Sequence, residues 1–165
     1  MKKTVLSGIQ ATGEPHIGNY FGAIKQFVSL QNDYESMFFV ANYHSLTGTI
    51  TPEALSKNTL SVVVAYLALG IDPKKSKIFL QSDVPEVTEL TWIFNTITTM
   101  PYLERAHAFK SAEAKASEIN VGLFDYPILM SADILIHDAD LVPVGQDQKQ
   151  HIEIARDTAE KFNRI

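Results

Sequence analysis

Short apolar runs alternate with segments of helical period along the whole chain, and this alternation limits the fold more than any other feature. The runs 3–9 (KTVLSGI), 36–43 (SMFFVANY), 76–83 (SKIFLQSD) and 140–145 (DLVPVG) read as strands. Between the first two, Ile17, Tyr20, Phe21, Ile24, Phe27 and Val28 recur at three- and four-residue steps. That spacing predicts one amphipathic helix from Ile17 to about Asp33. Thr51, Pro52 and Glu53 form a helix-start signature, and the helix is expected to run to Gly70, with Pro73 just beyond. Its middle, TLSVVVAYLAL, is apolar on nearly every side, which suits either a layer over a sheet or a surface shared with a second subunit. Residues 85–98 and 101–110 read as helices, 111–122 as a polar loop, 123–137 as helical after Pro127, and 146–163 as a last helix. Strands that alternate with helices are joined by right-handed crossovers and lie parallel. The expected class is α/β, a parallel sheet with helices on both faces.

Composition narrows the function. The 165 residues hold 45% hydrophobic and 20% charged side chains, a globular balance for one domain. A net charge of -5 argues against a segment that grips nucleic acid by general electrostatics. No cysteine is present, so disulfides and thiolate metal sites are excluded. The five histidines show no metal-ligand spacing, and no metal site is expected. No run of about 18 apolar residues suggests a membrane span. MKKTVLSGIQ lacks the long apolar stretch of a signal peptide and reads as the first strand of a cytoplasmic protein.

In a parallel sheet, ligands bind beyond the carboxyl ends of the strands. The clusters SGIQATGEPHIGN, NYHSLTG, QSD and PVGQDQ all follow expected strands, so four polar groups converge on one rim. His16 and Asn19 are three apart at the start of a helix, and Gly18 and Gly22 leave its face without a Cβ. Two readings fit: a capped helix start, or a cradle for an anion that meets backbone N–H groups and side-chain donors. The stretch has neither the Gly-Lys-Ser/Thr of a Walker A loop nor a Gly-x-Gly-x-x-Gly fingerprint. Asp133 interrupts the apolar helix YPILMSADIL, one turn after Met130. A buried carboxylate needs a donor. A backbone amide, His137, or an apolar ligand with a single N–H would each serve. Gly145, Gln146, Asp147 and Gln148 suit either a capped turn or a polar ligand. His44, after the second strand, fits a structural or a catalytic role.

Together these stretches resemble the bacterial tryptophanyl-tRNA synthetases, among the class I aminoacyl-tRNA synthetases. PHIGN matches the His-x-Gly-His signature, with Asn19 in place of the second histidine. LSGIQATGEPHIGNYFGAIKQF, QSDVPEVTELTWI, GLFDYPILMSADIL and DLVPVGQDQKQHIEIARD extend the likeness over essentially all 165 residues in order. The resemblance implies a Rossmann-like (HUP-type) sheet that joins tryptophan to ATP, with magnesium, and then to tRNA(Trp), in a homodimer. It implies His16 and Asn19 as catalytic residues, with Gln10, Gly18, Asn19, Gly22 and Asp147 on the ATP side. For tryptophan it implies Asp133 at the indole N–H, and Met130, Val142 and Val144 beside the ring over Gly8. Tyr126 and Gln148 would hold the amino group, and His44 would lie near the carboxylate.

The sequence departs from the family in three places. Leu6 stands where some relatives have phenylalanine, and QATG replaces QPSG. The Lys-Met-Ser-Lys-Ser loop and the helical anticodon-binding region are absent from these residues. Residues 1–165 are therefore expected to be the N-terminal part of a truncated catalytic domain, weakly active or inactive alone. Two alternatives remain: a cousin that activates another small acid, tyrosine above all, and a non-enzymatic dimerising or tryptophan-sensing module.

Overall fold

Three parallel strands form where the apolar runs begin: β1 (Thr4–Gln10), β2 (Glu35–Ala41) and β3 (Ser76–Leu80), in the order β1-β2-β3. β1 pairs with β2 from Thr4↔Glu35 to Gln10↔Ala41, and β2 with β3 from Ser36↔Ser76 to Val40↔Leu80. The protein is described here by a computed structural model over residues 2–106, 109–110 and 120–165. It divides into two units, Met1–Val84 with His137–Gly145, and Pro85–Ile136 with Gln146–Ile165. Among the described residues no helix is long and apolar enough to cross a membrane.

The fourth strand, expected over 140–145, contracts to a single parallel bridge, Val5↔Leu141. Proline explains where it stops. Leu141 N–H donates to the Thr4 carbonyl at 3.1 Å, and Leu6 N–H donates back to the Leu141 carbonyl at 3.0 Å. The next rung would need an N–H from residue 143, which is Pro143 and has none. Ser7 takes over, its Oγ donating to the Pro143 carbonyl at 2.9 Å. β3 likewise ends earlier than expected, at Leu80, and Gln81–Asp83 forms a 3-10 turn closed by Leu80 N–H donating to Asp83 Oδ2 at 2.9 Å.

The first helix is interrupted. α1 (Ile17–Asn19) passes through a π-helical turn, Tyr20–Ile24, into α2 (Lys25–Leu30). A π turn holds one extra residue, which rotates everything before it by about 100° relative to everything after. Ile24 and Phe27 are buried accordingly, whereas Ile17 and Phe21 from the same expected stripe are 74% and 63% exposed. Phe27 stacks on Phe38, centroids 4.6 Å apart, with Val5, Val40, Val62, Tyr66 and Ile71 around them. α3 (Pro52–Ala68) starts where Thr51 accepts from the Ala54 N–H at 3.3 Å. It buries Val62 and Tyr66, and the Tyr66 hydroxyl donates to the Phe39 carbonyl at 3.0 Å. Its far side leaves Leu60, Val64 and Leu67 exposed.

On the other side of the sheet, Leu6, Phe39 and Ala41 pack with Met37, Phe79 and Ala139. Gly8 lies across from Phe39 in the ladder, and a Cβ on Gly8 would stand 2.9 Å from three atoms of that ring. The Phe39 ring thus fills the place of the missing side chain.

The second unit is helical: α4 (Glu86–Ile97), α5 (Met100–Leu103), α6 (Val121–Ile136) and α7 (Lys149–Phe162). α5 is shorter than the helix expected over 101–110. The loop expected over 111–122 lies outside the described residues up to 119. Its end is helix instead, because Asn120 Oδ1 caps α6 by accepting from Leu123 N–H at 2.8 Å. Pro127 therefore sits inside α6 and not ahead of it, buried on a tightly packed face. Residues 146–148, expected as helix, form a 3-10 turn ahead of α7. Asn95 Nδ2 of α4 donates to Asp125 Oδ2 of α6 at 2.8 Å, and burial holds the Asp125 carboxyl above its ordinary value against the opposing pull of that bond.

Two outcomes follow from this packing. Gly8→Ala is expected to destabilise by about 1–3 kcal/mol through overpacking, and Phe39→Leu in the same chain recovers part of the loss. Urea denaturation of the four members of that cycle measures the coupling. At Asp125 the folded state holds its proton more tightly than the unfolded chain. Stability therefore falls as pH climbs from the ordinary carboxyl value through the raised folded value. Asp125→Asn keeps an acceptor for Asn95 without the charge. Its Tm is expected above that of the parent at about pH 7 and equal to it near pH 3, where both side chains are neutral.

Candidate functional site

The strand ends of the first unit are tied together by side chains. Leaving β1, Ala11 N–H donates to Ser45 Oγ at 2.8 Å, and that hydroxyl donates to the Ala41 carbonyl at the end of β2 at 3.0 Å. Gln81, 1% exposed after β3, accepts at Oε1 from the N–H groups of Tyr43 and His44, at 3.0 and 3.3 Å. Asn42 and Ser82 exchange a further pair, Asn42 Nδ2 donating to Ser82 Oγ at 2.8 Å and Ser82 N–H to Asn42 Oδ1 at 3.1 Å. His44 opens the 3-10 turn His44–Thr47 inside this clasp and is buried. Gln10 is exposed at the tip of β1. Val142 and Val144 are half-buried on either side of Pro143.

His16 and Asn19 form a reciprocal cap. His16 Nδ1 accepts from Gly18 N–H at 3.0 Å, and Asn19 Oδ1 accepts from His16 N–H at 2.9 Å. The chemistry of this pair follows from what the cap uses. A nitrogen that accepts carries no proton, so the neutral ring keeps its hydrogen on Nε2. With Oδ1 engaged, Asn19 has its Nδ2 amide hydrogens left to offer. Both acceptors point into the backbone, and the outward chemistry is N–H donation, which suits phosphate oxygens and not a cation. Gly18 permits this, since a Cβ there would stand 2.7 Å from His16 Cε1 and 2.9 Å from Nδ1. Among the described residues, a Cβ on Gly22 would meet nothing within 4 Å beyond its chain neighbours and its own helix backbone. Capping and anion recognition, the two readings of this stretch, are thus compatible: the cap sets the polarity that an anion needs. Gly8 has its open side filled by Phe39.

In the second unit, Tyr126, Met130 and Asp133 follow one another at four and three residues on α6 and share a face. Asp133 is 3% exposed, while Tyr126 and Met130 are half-buried. Asp147 and Gln148 occupy the 3-10 turn before α7, and Gln148 Nε2 donates to Asp147 Oδ2 at 2.7 Å. Gln148 Oε1 meets His151 Nδ1 at 2.8 Å, and His151 Nε2 meets the Tyr126 hydroxyl at 3.0 Å. Burial and then the Asp147 carboxylate push the Tyr126 phenol up. Three of the expected residues, Tyr126, Asp147 and Gln148, are therefore joined through His151. Ser45, Gln81 and His151 were not singled out from the sequence. For His151 the signal was present as the three-residue step from Gln148 onto one helical face.

A family model described as tRNA synthetases class I (W and Y) matches residues 1–165. The chain belongs to that family. Among the class I synthetases it is 58% identical over 161 residues to a tryptophan–tRNA ligase of Fusobacterium nucleatum, covering 98% of the chain and 50% of that relative. A tryptophan–tRNA ligase of Rhodopirellula baltica is 55% identical over 159 residues, with 96% of the chain and 50% of the relative covered. The crystal structure of tryptophanyl-tRNA synthetase from Campylobacter jejuni complexed with ADP and tryptophan superposes with a TM-score of 0.92 at 53% identity, over 98% of the chain and 50% of that structure. The chain thus spans about half the length of these relatives, and its Rossmann-like α/β fold is theirs.

The cap makes a spectroscopic prediction. In ¹⁵N spectra of the imidazole, His16 is expected as the Nε2–H tautomer. Asn19→Ala should leave that tautomer in place while lowering stability by about 0.5–2 kcal/mol, the usual cost of a lost helix cap.

Proposed function

We propose that the chain is the N-terminal part, residues 1–165, of the nucleotide-binding catalytic domain of a cytoplasmic tryptophan–tRNA ligase. The observation that carries this reading is the His16–Asn19 cap, which turns donors outward, in a chain 58% identical to such a ligase. In the reaction, a carboxylate oxygen of tryptophan attacks the α-phosphorus of ATP. The bond to the β-phosphate oxygen breaks, and pyrophosphate leaves with tryptophanyl-adenylate formed. The acyl group then passes to tRNA(Trp). Such a transfer needs placement and charge stabilisation more than covalent help. His16 Nε2–H and the Asn19 amide can follow the phosphate oxygens as charge develops, helped by the positive end of the helical segment. ATP enters with magnesium on its phosphates, and Gln10, Gly18, Gly22 and Asp147 complete the nucleotide side.

For tryptophan, Asp133 accepts the indole N–H, and Met130, Val142 and Val144 flank the ring. Gly8 is assigned to the tryptophan side in the same reading. Tyr126 and Gln148 take the amino group, and His44 lies toward the carboxylate. The Lys-Met-Ser-Lys-Ser loop and the anticodon-binding helical domain belong to the sequence outside these residues. The exposed Leu60, Val64 and Leu67 of α3 supply an apolar surface suited to a homodimer.

Tryptophan-dependent ATP–pyrophosphate exchange by the protein at its full natural length tests the reading, with tyrosine and phenylalanine as controls. His16→Ala is expected to lower kcat about 10²–10³-fold, the usual cost of removing one transition-state donor. Asp133→Asn removes a charged acceptor and is expected to raise KM for tryptophan roughly 10–100-fold. Its KM for ATP should move far less. Exchange driven by tyrosine in place of tryptophan, or equal losses for both substrates in Asp133→Asn, would overturn the assignment.

A further inference from the structure

His151 has no role in the reading above, yet it is 4% exposed in the first turn of α7 and touches two residues assigned to the substrate's amino group. The hydrogen bonds around it run in one direction, and that direction can be worked out. Asp147 presents a carboxylate, whose oxygens only accept. Gln148 must therefore present its NH₂ to Asp147 Oδ2, across 2.7 Å. A flipped amide would set two oxygens against each other at that distance. Gln148 Oε1 is left facing His151 Nδ1 at 2.8 Å, so Nδ1 carries the hydrogen. In the neutral ring Nε2 is then bare and accepts from the Tyr126 hydroxyl at 3.0 Å. The Tyr126 proton is committed to His151, and its Oη meets any further partner as an acceptor. Each step leaves one choice for the next, because carboxylate, amide, imidazole and phenol have unequal donor inventories.

We propose that His151 is a positioning residue that relays to Tyr126 the proton polarity set by Asp147 and Gln148, so that Tyr126 and Gln148 both present oxygen acceptors to the α-ammonium of the amino-acid substrate. The proposal rests on the tryptophan-activating reading and adds a specificity determinant to it. Two directed oxygens near the Asp147 carboxylate favour an ammonium and give nothing to an analogue without one. The raised phenol of Tyr126 agrees with this arrangement, since the hydroxyl must stay protonated to donate. Without His151 the Tyr126 hydroxyl is free to rotate its hydrogen toward the substrate, where it would oppose the N–H groups of the ammonium.

Calorimetric titration of the full-length protein with L-tryptophan and with indole-3-propionate separates this from a merely structural role. The two ligands share ring and carboxylate and differ in the ammonium. His151→Phe removes both ring nitrogens and is expected to weaken L-tryptophan about tenfold or more, the scale of a lost bond to a charged group. Indole-3-propionate should change less than about twofold. His151→Gln, whose amide can donate and accept at once, should recover part of the loss. Asp147→Asn lies in an exposed turn and offers Gln148 a donor as well as an acceptor, so the amide is no longer held in one orientation, and the buried histidine is untouched. It serves as the second probe should His151→Phe fail to fold, and it too should weaken L-tryptophan more than indole-3-propionate. Equal weakening of both ligands, or of neither, in these variants would overturn the proposal. An unaltered protein that binds indole-3-propionate as well as L-tryptophan would instead overturn the amino-acid reading on which it stands.

Discussion

A parallel strand that stops leaves backbone N–H and C=O groups with no rung to join, and those groups must be satisfied if they are buried. The organisation of the first unit follows from how this is done. Ser45, Gln81, Asn42 and Ser82 supply the missing donors and acceptors, linking the turn after β2 to the ends of β1 and β3. Small polar side chains at the strand ends are therefore structural before they are chemical. The buried His44 donates its backbone N–H to one of them, Gln81.

The same logic of unequal donors and acceptors explains why functional polarity arises from structural bonds. At His16 and Asn19 the backbone absorbs the acceptors and leaves donors. At Tyr126 and Gln148 a carboxylate and an imidazole absorb the donors and leave acceptors. One arrangement suits phosphate, the other suits ammonium. Each depends on a neighbour that can bond in only one sense.

Much of the fold was legible in the sequence, because short apolar runs alternate with segments of helical period, and three of the four runs form strands. Errors came where one residue outweighed the local pattern. Pro143 lies inside an apolar run that reads as a strand, and only the pairing partner shows that its missing N–H falls on the next rung. Pro127 reads as a helix start, but Asn120 seven residues earlier caps the helix first. The π turn at Tyr20–Ile24 is invisible to a fixed period and leaves Ile17 and Phe21 exposed. In the site, residues marked by unusual chemistry in an apolar context, His16, Asn19 and Asp133, stood out. Gln81 and His151 did not, because their importance lies in partners 38 and 25 positions away. Periodicity carries no information about those distances.

The end of the ladder at Pro143 also decides where the chain can change length. Side chains in a strand alternate faces, so one residue added within β1 or β2 would turn over every residue after it and bury the wrong set. Beyond Leu141 no rung fixes the register. Ser7 Oγ donates to the Pro143 carbonyl, and the next residues lead out of the first unit at Gly145. An insertion or deletion between Val144 and Gln146 would leave every strand pairing intact. The proline thus marks the end of the part of the sheet that must keep count.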